Sequence, residues 1–167
     1  MSQPARSQRS RPANGRTADD VSPLDKRIIE HLQEDGRRPF TQIAADLGVS
    51  EAAVRARTNR HVDRGILQVV GVTDPLKLGF QQMAMIGIRC EADHLMDVAR
   101  RCAEMPEVDY VVITAGSYDL LIETVCEDND ALLTFLADRL RAIDGVRETE
   151  TFVYLRLVKQ TYQYGTR

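Results

Sequence analysis

The chain has 167 residues, of which 43% are hydrophobic and 28% charged, with a net charge of −3. This length suffices for one ordinary domain or two small ones. No run approaches the roughly 18 uncharged apolar residues that a membrane helix needs, and no apolar segment near Met1 resembles a signal peptide. We therefore expect a globular protein of the cytoplasm with no membrane partner.

Catalytic and metal-binding patterns are missing from the sequence. The three cysteines occupy otherwise apolar positions, which predicts that they are small buried side chains. Neither a CxxC pair nor histidines at ligand spacing occur. No serine sits in a nucleophile elbow, and no glycine-rich phosphate loop follows a predicted strand. We expect no metal, no cofactor and no catalytic residues, and hence a protein that is not an enzyme.

Charge is unevenly distributed along the chain. Residues 1–23 hold four Arg against two Asp, a net of +2, and residues 24–77 hold nine basic against eight acidic residues, a net of +1. Residues 78–167 hold nine basic against fifteen acidic residues, a net of −6. The first segment has almost no large apolar side chain and predicts a disordered basic tail. The asymmetry is consistent with two functions, one of them nucleic-acid binding.

The first apolar segments predict two short helices. Apolar residues recur at helical spacing from Leu24 to Leu32, and Gly36 follows as a C-terminal cap. Thr41 is the predicted N-cap of a second helix, which Gly48 ends.

The third predicted helix carries the basic residues. It follows Ser50, a good N-cap, runs to about Arg64 and precedes the β-like sequence ILQVVGV at residues 66–72. Two helices joined by a glycine turn, the second of them basic, form the helix-turn-helix pattern, and the strands after it predict a wing. We therefore predict a winged helix-turn-helix over residues 24–73.

Three arginines on that helix, Arg55, Arg57 and Arg60, are candidates for contacts with DNA phosphates or guanine edges. A solvated helix face is the alternative explanation for such charges. The glycine turn, the capping serine, the strand pair and the basic tail together favour DNA binding.

A second domain is predicted over residues 81–160, after a linker at 74–80 and before a C-terminal tail at 161–167. Its periodicity gives the order βαββαβ of a ferredoxin-like fold, so the chain as a whole is α+β. The first two strands are apolar on both faces, whereas one helix layer covers only one face. We predict that another subunit covers the second face.

The loop between the two central strands is a candidate ligand site. It consists of Gly116, Ser117, Tyr118 and Asp119, where polar groups stand beside apolar walls. An ordinary hairpin turn is the alternative.

Four stretches of the chain resemble the Lrp/AsnC family of bacterial and archaeal transcription regulators: LDKRIIEHLQEDGR, QIAADLGVSEAAVRARTNRHVDRGIL, ITAGSYDLLIETV and TFVYLRLVK. The resemblance covers about residues 24–160. It implies a winged helix-turn-helix joined to a ligand-sensing βαββαβ domain, often called the RAM domain. It also implies a homodimer formed through the sensing sheet, assembly into tetramers or octamers, and an amino acid or related metabolite bound between subunits.

The resemblance also implies site residues. Those matching the recognition helix are Ser50, Glu51, Ala53, Val54, Arg55, Arg57 and Arg60, with Arg55 and Arg57 as the leading DNA contacts. Those matching the effector site are Gly116, Ser117, Tyr118 and Asp119, joined by Thr151 and Val153 of the last strand. The chain departs from the family at Thr58 and His61, where aliphatic residues usually face the core.

We therefore expect a sequence-specific regulator that binds double-stranded DNA and responds to an amino-acid-like effector. One alternative is an effector-independent architectural protein that bends or wraps DNA. Another is an enzyme similar to the sirohaem decarboxylases, which share the two-domain organisation. Those enzymes need haem-pocket histidines, and no histidine lies near the predicted sensing loop in this sequence.

Overall fold

The computed structural model describes residues 21–161 and residue 166. They form two compact units, one of residues 21–71 with Thr161 and Thr166, and the other of residues 72–160. Most of the predicted N-terminal tail, residues 1–20, and most of the predicted C-terminal tail, residues 162–165 and 167, lie outside the described residues. Within the described part, no helix is both long and apolar enough to cross a membrane.

Three helices make up the N-terminal unit: α1 (Pro23–Glu34), α2 (Phe40–Leu47) and α3 (Glu51–Asp63). α1 begins at a capping box, in which the Asp25 backbone donates to Ser22 Oγ and the Ser22 backbone donates to the Asp25 carboxylate. The proline at the first helical position favours this start because its fixed φ is already helical.

The turn between α2 and α3 is closed by glycine and serine. Gly48 ends α2 with a φ of 67°, a left-handed conformation that glycine adopts without steric cost. Ser50 then caps α3, with its side chain accepting a hydrogen bond from the Ala53 backbone at 3.2 Å, which confirms the predicted cap. The predicted cap of α2 is wrong: Pro39 occupies that position and Thr41 lies inside the helix.

A small apolar core joins the three helices. Its buried members are Ile28, Ile29, Leu32, Ile43, Ala44, Val54 and Leu67. Thr58 and His61 are buried on the inward side of α3, with exposed fractions of 4% and 1%. The predicted inward orientation of these two residues is confirmed.

The wing predicted over residues 66–72 is not formed, because the described chain has no strand between α3 and the 3₁₀ turn Pro75–Leu78. Val69, Val70 and Val72 are 53%, 68% and 58% exposed. An isolated two-stranded hairpin is marginal in water without a surface to pack on. The β-branched residues of this segment predicted strands, but within residues 21–161 no strand pairs with it.

The C-terminal unit confirms the predicted βαββαβ order and the α+β class. Its elements are β1 (Gln82–Cys90), α4 (Leu95–Ala103), β2 (Val108–Ile113), β3 (Leu120–Cys126), α5 (Asn129–Thr134) and β4 (Val146–Val153). The strands form one antiparallel sheet in the order β2-β3-β1-β4. α5 continues as a π-helical turn over Phe135–Leu140.

The main core lies between the two helices and one face of the sheet. It contains Ala84, Ile86 and Ile88 of β1 together with Leu120 and Ile122 of β3. The three cysteines belong to it as well, which confirms that they are buried thiols. Burial raises the pKa of Cys102 to about 11, because the thiolate is poorly solvated in an apolar interior.

Within the described part of the C-terminal unit, no helix packs on the opposite face of the sheet, which we call the open face. By register it contains Met85, Leu121 and Phe152 in the centre, with Glu123 beside them. The Tyr154 hydroxyl donates to Glu123 Oε1 at 2.8 Å, and burial together with that carboxylate raises the pKa of Tyr154 to about 12. The open face is thus mixed rather than apolar throughout: Glu123 stands among its apolar residues, and Glu148 and Glu150 lie on it opposite Arg89 and Gly87.

Candidate functional sites

A buried carboxylate organises one side of α3. Asp25 is 1% exposed, and its Oδ1 accepts a hydrogen bond from Arg57 Nη1 at 2.9 Å. Arg60 Nη2 lies 3.1 Å from both carboxylate oxygens. His61 Nε2 lies 3.2 Å from Oδ1, but the two atoms are not aligned for a hydrogen bond. Two of the three predicted DNA-contacting arginines therefore tie α3 to the start of α1.

The electrostatics of this cluster favour an ionised Asp25. Burial alone would raise the pKa of the carboxyl, but hydrogen bonds from Ser22 and Arg57, together with the nearby His61 ring, outweigh burial and hold the pKa well below its usual range. A buried charge is tolerated only when it is paired and hydrogen-bonded in this way. The arginine pair consequently stabilises the buried charge of Asp25, whatever else it binds.

Arg57 and Arg60 each have guanidinium N–H groups that do not bond Asp25. Their side chains are 33% and 49% exposed, and a guanidinium carries five N–H donors. Arg57 uses Nη1 for Asp25 and, at 3.3 Å, for Ser22 Oγ. The remaining donors of both guanidinium groups stay within reach of a phosphate from the solvent side.

Arg55 stands on the other flank of α3. Its side chain is 58% exposed, pairs with Glu51 one turn earlier and places Cζ 5.3 Å from the centroid of the Phe40 ring. An exposed ion pair of this kind contributes little to stability. Arg55 is therefore the most accessible of the three predicted arginines and the one least required by the fold.

The other residues matched to the recognition helix serve α3 itself. Ser50 caps it, Ala53 donates to that cap, and Val54 is fully buried in the core. The exposed positions of α3 that sequence reasoning missed are Ala52, Ala56, Asn59, Val62 and Asp63. Helical periodicity could have identified all of them except Val62, because these lie on the side of α3 opposite the apolar residue Val54.

The loop of residues 114–119 is held against the open face by an aromatic contact. The Tyr118 ring lies over Gly87 of β1, where a Cβ would stand 2.6 Å from Tyr118 Cγ. The Phe152 ring meets it edge-on with centroids 6.3 Å apart, and Arg89 Cζ lies 5.6 Å from the Tyr118 centroid. Only glycine at position 87 leaves room for this ring.

Polar contacts fix the same loop to β1. The Asp119 carboxylate accepts a hydrogen bond from the Cys90 backbone at 2.9 Å, at the point where the β1–β4 register shifts. Arg89 Nε donates to the Ser117 carbonyl at 2.7 Å, and Thr114 Oγ1 donates to the Tyr118 carbonyl at 2.6 Å. The loop is therefore a preformed surface, and Asp119 is one of its anchors.

The structure separates the two groups of residues predicted to form one effector site. Gly116 and Ser117 are exposed, and Tyr118 lies on the open face. Thr151 and Val153 pair with Ile86 and Ala84, so within one subunit they lie on the helix-covered side of the sheet. Register decides this, because directly opposed residues of antiparallel strands share a face.

Both units match known families. The model of the AsnC-type helix-turn-helix domain matches residues 22–60, and the model of the Lrp/AsnC ligand binding domain matches residues 83–164. An uncharacterized HTH-type transcriptional regulator of Pyrococcus furiosus is 36% identical over 140 residues, 83% of this chain and 95% of that relative. The regulator FL11 of the same organism is 32% identical, over 83% of this chain and 91% of its own length.

Solved structures agree with the family models. Escherichia coli AsnC matches with a TM-score of 0.75 and 26% identity, over 84% of this chain and 95% of AsnC. A Neisseria meningitidis regulator in complex with L-Met has the same fold, with a TM-score of 0.75 and 24% identity over 85% of this chain and 94% of that one. The related proteins are transcription regulators, which confirms that this chain is not an enzyme. The chain belongs to the Lrp/AsnC family of transcription regulators, with an AsnC-type helix-turn-helix domain followed by a ligand-binding domain.

Proposed function

We propose that this regulator is a homo-oligomer that binds duplex DNA through α3 and that an amino acid or related metabolite, bound at the loop of residues 114–119, alters its DNA binding or its assembly. The observation that carries the proposal is the division of α3 into a buried side and an open side. The buried side is satisfied by Asp25 and the apolar core, so the open side is available to a partner.

Charge supports duplex DNA as that partner. Arg55 and the outer donors of Arg57 and Arg60 flank the open side of α3, where they would reach phosphates on the two edges of a groove. The acidic C-terminal unit need not approach DNA. An oligomer would present several such helices at once, which increases the number of phosphates neutralised.

The surroundings of the loop suit a zwitterionic ligand. Arg89 and Glu148 are 48% and 62% exposed and pair at 3.0 Å beside Tyr118, so charges of both signs stand next to an aromatic wall. A Cβ on Gly116 would meet no atom within 4 Å, so the loop opens into space there. The L-Met complex of the related Neisseria regulator supports an amino acid as the ligand class.

The open face supports assembly through the sheet. Tyr110 and Phe152 are 52% and 45% exposed there, on a surface that no helix of the described C-terminal unit covers. A contiguous exposed apolar patch on a sheet marks an interaction site. A second copy, which brings the same patch, would bury it symmetrically.

The proposal is tested by fluorescence anisotropy with duplex from the protein's own upstream region, at two salt concentrations, with each of the twenty amino acids, and by light scattering of the same mixtures. We expect affinity to fall steeply with salt. We also expect at least one amino acid to change the affinity or the particle mass. Salt-dependent binding that no amino acid alters would favour the architectural alternative, and absence of binding at both salt concentrations would contradict the proposal.

Replacing Asp119 distinguishes the loop from the rest of the protein. Asp119→Ala removes the acceptor of the Cys90 N–H, so we expect it to abolish the effector response while DNA binding is retained. Asp119→Asn keeps an acceptor oxygen without the charge and is the matched control. If Asp119→Asn retains the effector response, the role of Asp119 is to anchor the loop. If both variants lose the response, the ligand depends on the negative charge of Asp119. An undiminished response in Asp119→Ala would remove this loop from the effector site.

A further inference from the structure

From Ala52 to Asn59 the open side of α3 has an uncharged centre, and the exposed acid Asp63 follows on the same line at the end of the helix. Ala52, Ala56 and Asn59 are all exposed, and at 3.6 residues per turn Asn59 lies within about 20° of Ala52 around the helix. The buried residues Val54 and His61 lie on the opposite side. We call the three exposed residues the central stripe.

Charged residues border the central stripe on both sides. Arg57 and Arg60 lean towards Asp25 on one side, and Arg55 leans towards Glu51 and Phe40 on the other. Phosphate contacts therefore belong to the flanks. The stripe between them is the part of α3 that faces the floor of a groove when the flanks contact its two edges.

Side-chain size along the stripe permits a close approach. Two alanines present only a methyl group each, so the helix backbone can lie deep in a major groove. A short side chain then suffices to reach a base edge. Asn59 is the only stripe residue with hydrogen-bonding groups, and within the described part of the chain no protein group hydrogen-bonds its amide.

The chemistry of a carboxamide selects one base. Its oxygen accepts from adenine N6, and its NH₂ donates to adenine N7, so the pair of contacts matches adenine in the major groove. The methyl groups of Ala52 and Ala56 match the C5-methyl of thymine. Both matches indicate a preference for A·T pairs opposite the stripe.

We propose that Asn59 is a specificity-determining residue that reads an adenine in the major groove, with Ala56 and Ala52 against neighbouring thymine methyl groups. The proposal rests on the proposed DNA binding through α3. It assigns base recognition to the uncharged stripe and phosphate contacts to the arginines, whereas charge alone points to the arginines for both.

The test selects bound sequences from a pool of random duplexes and then measures the affinity of the full chain for the best site and for each single base-pair replacement. For the wild type we expect one A·T pair in each half-site whose replacement costs about 5- to 150-fold in affinity. Asn59→Ala should lose that preference and keep the preferences at other positions. Asn59→Gln retains the carboxamide and should keep a preference for adenine.

Asn129→Ala is the matched control, since it makes the same exchange at an exposed position of the other unit. It should leave all base preferences unchanged. Full retention of the adenine preference in Asn59→Ala would overturn the proposal, and so would an equal loss of affinity for every sequence, which identifies a phosphate contact. Wild-type protein that binds duplex without any base preference would overturn this inference alone, whereas failure to bind duplex would overturn the proposed function with it.

Discussion

Different interactions stabilise the interiors of the two units of this chain. In the described N-terminal unit, the buried side chains Asp25, Thr58 and His61 accompany a core of seven buried apolar residues. The described C-terminal unit buries one polar side chain, Thr124, beside a core of fourteen buried residues. The smaller unit therefore depends on charge pairing as well as on apolar burial, whereas the larger one depends on apolar burial.

This difference also changes how each site relates to its fold. In the N-terminal unit the same guanidinium groups pair with Asp25 and border the open side of α3. In the C-terminal unit the loop is anchored by Asp119 and Tyr118 at one end of the sheet, and its anchors are not members of the main core. A change to Arg57 or Arg60 should therefore disturb stability and DNA binding together, whereas a change to Asp119 should alter the effector response and leave DNA binding intact.

The sharpest test removes the buried charge. Asp25→Ala leaves two arginines without their acceptor and removes the capping box, so we expect a loss of about 3–5 kcal/mol in the N-terminal unit. An NMR-detected urea titration that follows α1–α3 and β1–β4 amides separately measures it. Asp46→Ala, an exposed acid on α2, should change the same amides by less than about 0.5 kcal/mol. Equal loss in both variants would contradict the role of Asp25.

Acid should weaken the same unit without a mutation. The folded pKa of Asp25 lies below the unfolded value of about 3.9, so its stabilising contribution is present above about pH 4 and is lost as the pH falls through the folded pKa. We expect α1–α3 to lose stability in that window in urea titrations at successive pH values. Asp25→Ala lacks the group and should show a flatter acid dependence. Identical curves for the two proteins would contradict the assignment.

A pair of arginine variants separates stability from binding. Arg57→Ala should cost about 1.5–3 kcal/mol in the N-terminal unit, the range for a hydrogen bond to a charged group, and should also weaken DNA binding. Arg55→Ala should weaken DNA binding with a change in stability below about 0.5 kcal/mol. Urea titration and fluorescence anisotropy measure the two effects. Unchanged affinity in Arg55→Ala would exclude Arg55 as a DNA contact.

The smallest expected effect concerns the aromatic contact of the loop. Gly87→Ala places a Cβ against the Tyr118 ring, and we expect a cost of about 1–2 kcal/mol, because the ring can shift. The displaced ring should also weaken the response to an amino acid. Gly116→Ala adds a methyl group in open space and should leave thermal stability unchanged. A Gly87→Ala protein as stable and as responsive as wild type would contradict the packing role.

Local and periodic features were predictable from the sequence. The Ser50 cap, the βαββαβ order and the buried cysteines follow from spacing that a single segment displays. Asp25 was not identified, because an acid in the first turn of a helix is ordinarily an exposed cap, and its arginine partners lie 32 and 35 residues away. The Tyr118 ring over Gly87 is likewise a contact between distant parts of the chain.

The wing and the effector residues show a second limit of prediction from the sequence, which concerns the pairing of strands. Residues 66–72 have strand-like composition, but composition does not reveal whether a neighbouring strand exists. Thr151 and Val153 were grouped with the loop by resemblance, whereas the register of β4 decides which face they occupy. Faces and partners depend on pairing between segments, which a single sequence does not display.

The burial of the cysteines makes the native chain convenient for site-directed labelling. With a pKa of about 11, Cys102 has roughly one thiolate in ten thousand molecules at pH 7, and burial also raises the pKa values of Cys90 and Cys126. A cysteine introduced at an exposed position would therefore react with maleimide dyes far faster than the native thiols. Fluorescent reporters on either unit can be attached without first replacing the native cysteines.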